Sequence, residues 1–380
     1  MVCDEAELAL LALPPDMNCL ETEPVYPMVE SSAAKVLSKY QIIRFHGRAM
    51  IELSHPYPHF EPMNKELLSE VAIPLLGWVK QRHINHLYDY LISTVSDLSD
   101  HDRFVVFGDL NGSKADVSVW DMERLEFRHD ISPHECVWRS PYSVKRSDTI
   151  QHNRSIPLIM QLAGGNTAIY DDIMQSLAPL VMACKPEGVV WWVGGDEIGK
   201  QHLMKAVRRI LPHQLAELDV ERLEGGRQMP KLNGKLGNVG HAGGGAVADV
   251  SLYRSLAKHQ TFGVHKYRSQ DGMSVPGNVH HIFSSPNAPL FSTKTWSTQM
   301  RTVVIPFSQL TDTGGLEMTD ELHTRLLAEM CACTAQIRHQ GYRYSLSGTS
   351  VATERDSSPS GARKLTAPSP FFSPTGEFIW

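Results

Sequence analysis

Val189-Val-Trp-Trp-Val193, a short and wholly apolar run, leads directly into Gly194-Gly195-Asp196-Glu197-Ile198-Gly199-Lys200-Gln201 and then into an amphipathic stretch reaching about Leu211. Strand, glycine loop and helix in that order make a cradle for phosphate. Backbone N–H groups face the oxygens, a lysine reaches the β- and γ-phosphates, and the helix N-terminus adds a favourable dipole. Gly194, Gly195, Gly199, Lys200 and Gln201 are therefore the candidate nucleotide-binding residues, and ATP with Mg²⁺ is what such a loop takes. The last position departs from the pattern. Where a Ser or Thr hydroxyl would bind the magnesium ion, Gln201 offers a neutral amide, a poorer ligand for a hard cation. Asp196 and Glu197 also place negative charge beside the phosphate. From these residues alone, a glycine turn followed by a surface lysine reads equally well.

Further stretches succeed one another in fixed order: Leu232-Asn-Gly-Lys235-Leu-Gly-Asn238, Ala248-Asp249 through Leu256, Phe262-Gly-Val-His-Lys266-Tyr267-Arg268, Val279 through Asn287-Ala-Pro289, and Met300-Arg301 through Pro306-Phe307. As a series they resemble the ATPase domain of superfamily 3 helicases, found in primase-helicases of phages, plasmids and large DNA viruses. The resemblance covers roughly Phe104 to Phe307, with Phe107 to His129 similar to the helical region that precedes the ATPase. It implies an α/β fold, a P-loop domain of AAA+ type preceded by a mainly helical domain with a small β element. In that family an asparagine at the position of Asn287 orients the attacking water, and an arginine at the position of Arg301 reaches a neighbouring subunit's nucleotide. Lys266, Tyr267 and Arg268 match a basic segment that grips and stacks single-stranded DNA. The plainer readings stay open: Asn287 in an ordinary turn, Arg301 in a surface ion pair, and the basic cluster as a solvated hairpin edge.

One departure weighs more than the rest. The family carries an acidic residue after a strand between Lys235 and Asp249, to hold Mg²⁺. This chain has Asn238-Val-Gly-His241-Ala-Gly-Gly-Gly245 there, with nothing acidic between Glu224 and Asp249. Magnesium thus loses both usual anchors, so its binding is expected to be weak or absent and hydrolysis impaired. No other metal site is expected, because there is no HExxH and no Cys/His pair at ligand spacing. Nor is there a GxSxG nucleophile elbow.

The elements that must position these residues are read from periodicity. Asn64 to Ser99 carries apolar residues at three- and four-residue steps, predicting one or two helices. Arg103 to Gly108 and Val117 to Trp120 read as strands about an Asn-Gly turn, and Ile156 to Ala183 as helix interrupted at Gly164-Gly165. The expected organisation is a flexible arm (1–34), a mainly helical domain with a β insert (35–185), the P-loop domain (186–310), a helical cap (311–344) and a flexible tail (345–380). The tail is rich in Ser, Thr and Pro but ends in Phe371-Phe372 and Phe378-Ile379-Trp380, which suggests a docking peptide for a replication partner or, alternatively, a strap folded back on the body.

A net charge of −6 over 380 residues means that nucleic acid must meet a local basic surface. The 6 cysteines are scattered, which suits reduced thiols and a cytoplasmic location, that of the host if phage-encoded. No run approaches the roughly 18 apolar residues of a membrane span. The reading that results is a replication-associated, superfamily 3 helicase-like protein of a phage or mobile element. By resemblance it forms a hexameric ring and binds nucleotide and single-stranded DNA. A non-catalytic DNA-binding or assembly scaffold is the alternative. A P-loop phosphotransferase is a further one, which needs neither Lys266 to Arg268 nor Arg301.

Overall fold

The computed structural model describes residues 25–352, apart from 46–47, 54–58, 78, 100–101, 111–116, 150–153, 195–196, 224–227, 248, 266–271, 276, 292–301, 310–316 and 347–350. The chain divides into two compact units, residues 1–53 with 61–99 and residues 54–60 with 100–380.

The first unit packs α1 (Val25–Leu37), α2 (Lys65–Leu76) and α3 (Gln81–Thr94) with a sheet ordered β1 (Ile42–Phe45), β2 (Arg48–Leu53), β3 (His59–Pro62). Helices α2 and α3 fall within the stretch where periodicity predicts them, and Val36, Ile51, Leu68, Leu87 and Leu91 meet in one core. Asn64 starts α2 by accepting the Leu67 N–H at 2.7 Å. The sheet is not foreshadowed by the sequence pattern. Its pairing of Ile42 with Ile51 and of Ile43 with Met50 buries apolar residues on both strands.

The second unit begins with the expected small β element, ordered β6 (Glu126–Arg128), β5 (Ser118–Asp121), β4 (Phe104–Phe107), β7 (Trp138–Ser140). Two hydrogen bonds fasten it to the chain around residues 181–183. The Trp120 indole N–H donates to the Val181 carbonyl at 2.9 Å, and the Ala183 N–H donates to the Met122 carbonyl at 2.9 Å. Next come α4 (Pro157–Leu162) and α5 (Thr167–Leu177), separated by Gly164-Gly165 as the sequence predicts.

The core of this unit is a mixed α/β assembly around a parallel sheet. Its elements are β8 (Val189–Val193), α6 (Glu197–Ile210), β9 (Leu215–Ala216), β10 (Gly237–His241), β11 (Ala246–Val247), α7 (Val250–Ala257), β12 (Phe262–His265), β13 (Gly272–Val275), β14 (His280–Ser285), β15 (Leu290–Phe291), β16 (Thr302–Pro306), α8 (Asp320–His339) and β17 (Val351–Ala352). The strand order is β17-β16-β8-β14-β10-β9, parallel throughout except for β17, which adds antiparallel to β16.

β8 lies inside the sheet and is buried on both faces, which is why it reads as an unbroken apolar run. Side-chain alternation sends its tryptophans to opposite faces. The Trp191 indole donates to the Tyr253 hydroxyl of α7 at 2.8 Å, and the Trp192 indole donates to Ser176 Oγ of α5 at 3.1 Å. α8, expected from its spacing, is capped by Thr319 and tied to α5 through Glu329, whose carboxylate accepts the Tyr170 hydroxyl at 2.8 Å and the Ser155 N–H at 3.2 Å. No described helix is long and apolar enough to cross a membrane.

Candidate nucleotide-binding site

Parallel pairing aligns the carboxyl ends of three strands, with Val193 of β8 opposite both Ser285 of β14 and Pro306 of β16. That edge is where open α/β sheets bind ligands. The chain leaves β8 through Gly194 at φ 73°, a left-handed conformation that glycine adopts without steric cost. The Gly194 N–H donates to the Ser285 carbonyl at 3.2 Å. Lys200, in the first turns of α6, is 0% exposed, and its Nζ donates to the same Ser285 oxygen at 2.9 Å. An ammonium is taken out of water only when strong acceptors receive it, so Lys200 is no surface lysine.

Two residues past Ser285, the Asn287 N–H donates to Ser285 Oγ at 3.2 Å, and the Asn287 residue is exposed. The structure thus gathers Gly194, Lys200 and Asn287 around one strand end. Gly199 is buried beside Lys200, whereas Gln201 is exposed. Gly195, Arg301, Lys266, Tyr267 and Arg268 lie outside the described residues, as does the aromatic C-terminal tip. Lys266 to Arg268 fall in the connection of a described hairpin, in which β12 and β13 pair from Phe262↔Val275 to His265↔Gly272.

Further along the same edge β10 ends at His241, register partner of Ser284. His241 Nε2 lies 3.5 Å from Glu217 Oε1, and Glu217 Oε2 lies 3.2 Å from an Arg208 guanidinium nitrogen. Glu217 has no sequence signal, because it comes after a strand of only Leu215–Ala216.

The neighbouring carboxylates are also engaged. Asp219 accepts the Glu221 N–H at 3.0 Å and pairs with Arg222 at 3.2 Å. Glu221 accepts the Gly244 N–H, and Asp249 caps α7 by accepting the Leu252 N–H at 2.9 Å. A magnesium ion requires an oxygen shell that includes carboxylate charge. The described carboxylates here, Glu217, Asp219, Glu221 and Asp249, each already hold a protein partner.

Three histidines and a lysine lie buried or half-buried away from this edge. At the opposite end of the sheet, beneath β8 and β14, His280 Nε2 bonds the Ser176 carbonyl at 2.7 Å and His259 Nε2 bonds the Pro186 carbonyl at 2.8 Å. His281 is 1% exposed. Burial, reinforced by neighbouring positive charge, pushes His280 down to about 3 and His259 and His281 below the usual imidazole range. Beside them the Lys185 ammonium donates to the carbonyls of Pro179 at 2.7 Å and Met182 at 2.9 Å, and desolvation lowers it to about 7. Cys136, Cys184, Cys331 and Cys333 are free thiols. Burial pushes Cys136 and Cys333 up to about 12 and raises Cys331, so these three are poor nucleophiles.

No family model and no curated protein matches this chain. Among solved structures, it is similar to the C-terminal region of NrS-1. An A-form apo structure of that region shows 13% identity over 79% of this chain and 67% of the other, with a TM-score of 0.43. A second A-form apo structure shows 12% identity over 79% and 66%, with a TM-score of 0.42. A further apo structure shows 13% identity over 79% and 67%, with a TM-score of 0.44. The chain spans about two thirds of the length of these structures.

Proposed function

We propose that this chain is a replication-associated, superfamily 3 helicase-like protein that binds a nucleoside triphosphate and single-stranded DNA and hydrolyses the nucleotide poorly. The observation that carries the reading is Lys200: fully buried, following a glycine loop at the carboxyl end of a parallel strand, with Nζ 2.9 Å from the carbonyl of Ser285 beside Asn287. In this reading the Gly194–Gly199 loop and Lys200 hold the phosphates, and Asn287 orients water at the last of them. Arg301 serves a neighbouring subunit of a hexameric ring. The aromatic tip docks on a replication partner. Poor turnover results from the missing magnesium anchors at Gln201 and His241.

Calorimetric titration with ATP tests the reading. Wild-type protein is expected to bind, and Lys200→Met to weaken binding by more than about tenfold, the effect of removing one charge-assisted hydrogen bond to phosphate. Lys200→Met should keep or raise the melting temperature, because a methionine takes the place of the buried side chain without an ammonium to desolvate. Equal binding by the two proteins, or none by either, sinks the nucleotide reading and leaves the assembly scaffold. For DNA, the double variant Lys266→Ala with Arg268→Ala should weaken single-strand binding. It should also reduce the slope of log affinity against log salt by about 0.7 for each phosphate that is no longer neutralised. An unchanged slope removes these residues from the interface.

A further inference from the structure

Two histidines from distant parts of the chain meet in the second unit. His59 opens β3 and belongs to the stretch 54–60 that counts with that unit, and His213 lies between α6 and β9. Their rings stack, with centroids 3.6 Å apart and planes 7° from parallel. A ring nitrogen of one lies within 4.8 Å of a ring nitrogen of the other. Arg139 of β7 fastens the residue next to each. Its guanidinium lies over the Phe60 ring at 4.7 Å, and its carbonyl receives the Gln214 side-chain N–H. His59 is 3% exposed, whereas His213 faces solvent. His213 also stands at φ 62°, a left-handed backbone that a residue with a Cβ adopts only where its surroundings hold it, and Lys235 Nζ donates to its carbonyl. Glu61 follows His59 by two residues in the same strand, so it projects to the same side, and its carboxylate comes within 4.8 Å of the His59 ring nitrogen.

We propose that His59, Glu61 and His213 bind a divalent metal ion of the zinc class. Two imidazoles and one carboxylate are a donor set that zinc takes when three protein ligands leave a fourth position to water. Face-to-face rings do not aim their lone pairs at one point, so the exposed His213 ring turns out of the stack to bind, a rotation about the broad torsion of an imidazole. His59, held in the interior, stays in place and sets the site's position. Residue spacing leads to no such expectation, because the ligands come from two elements far apart in the sequence and form no short motif.

The test is calorimetric titration of the full chain with ZnCl₂, after dialysis against EDTA and without nucleotide, so that its outcome is independent of the nucleotide reading. Wild-type protein is expected to take up one equivalent with a rise in melting temperature. His213→Ala and Glu61→Gln are each expected to weaken that binding by at least about tenfold and to lose the thermal rise. Neither side chain is fully buried, and circular dichroism confirms that the variants fold. Wild-type protein that takes up no zinc overturns the proposal. So does zinc binding that is equally tight in His213→Ala, which places the ion on other histidines, or equally tight in Glu61→Gln, which removes the carboxylate from the site.

Discussion

Gly240→Val is expected to cost the second unit about 3 kcal/mol or more, the upper range for forcing atoms into a packed core. Gly240 sits in β10 between a buried valine and His241, and a Cβ there would collide with the carbonyl oxygen of Leu218. The collision is with backbone that has nowhere to go. The Leu218 N–H is held by Asn238 Oδ1 at 2.8 Å, and the Leu218 carbonyl receives the His241 N–H at 3.2 Å. Relief would separate β10 from the segment that carries Glu217. For a unit of this size the loss corresponds to a fall in melting temperature of about 5 °C, measurable by scanning calorimetry. A fall of less than about 2 °C would show that this segment yields freely.

Stability should drop steeply below neutrality. His280 and His281 are fully buried and neutral in the folded protein, His280 with a value near 3, while in the unfolded chain both protonate near pH 6.5. Between those values the unfolded state binds more protons, so each histidine withdraws about 1.4 kcal/mol of stability for every pH unit of acidification. From pH 7 to 5 the pair is expected to cost about 4 kcal/mol, with His259 adding in the same direction.

Lys185 extends the slope upward. Lowered to about 7 in the fold, it makes stability rise further as pH climbs toward its unfolded value. The trend reverses above about pH 9, where unfolded cysteines ionise but buried Cys136, Cys331 and Cys333 do not. Denaturant midpoints between pH 5 and 10 should therefore peak near pH 8 to 9, and His281→Leu should flatten the acid limb by one histidine's share. A level profile from pH 7 to 5 would mean that these rings are not kept neutral.

Much of the architecture is legible in the sequence because burial leaves a mark on composition. Val189–Val193 announces an interior parallel strand by being apolar at every position, and Asp320–His339 announces its helix by spacing. The β1–β2 pair escapes such reading because apolar Met50, on the same face as Arg48 and Glu52, breaks the alternation and the match of Ile42 with Ile51 is a property of pairing, invisible in either strand alone. The same distinction governs the site. Lys200 can be named from residue type and spacing and Asn287 from the family resemblance, but what brings them together is Ser285, whose carbonyl receives Lys200 and whose hydroxyl receives the Asn287 N–H, and nothing in the sequence marks that serine. Glu217 escapes for a related reason: only the sheet order β14-β10-β9 places it next to His241.

One oxygen, that of Ser285, receives both Gly194 and Lys200. The ammonium that would meet a ligand is thus parked on the main chain of β14, so arrival of an anion is a swap of acceptors and does not recruit an idle charge. Such a swap spares the lysine from ever standing uncompensated in a poorly solvated interior.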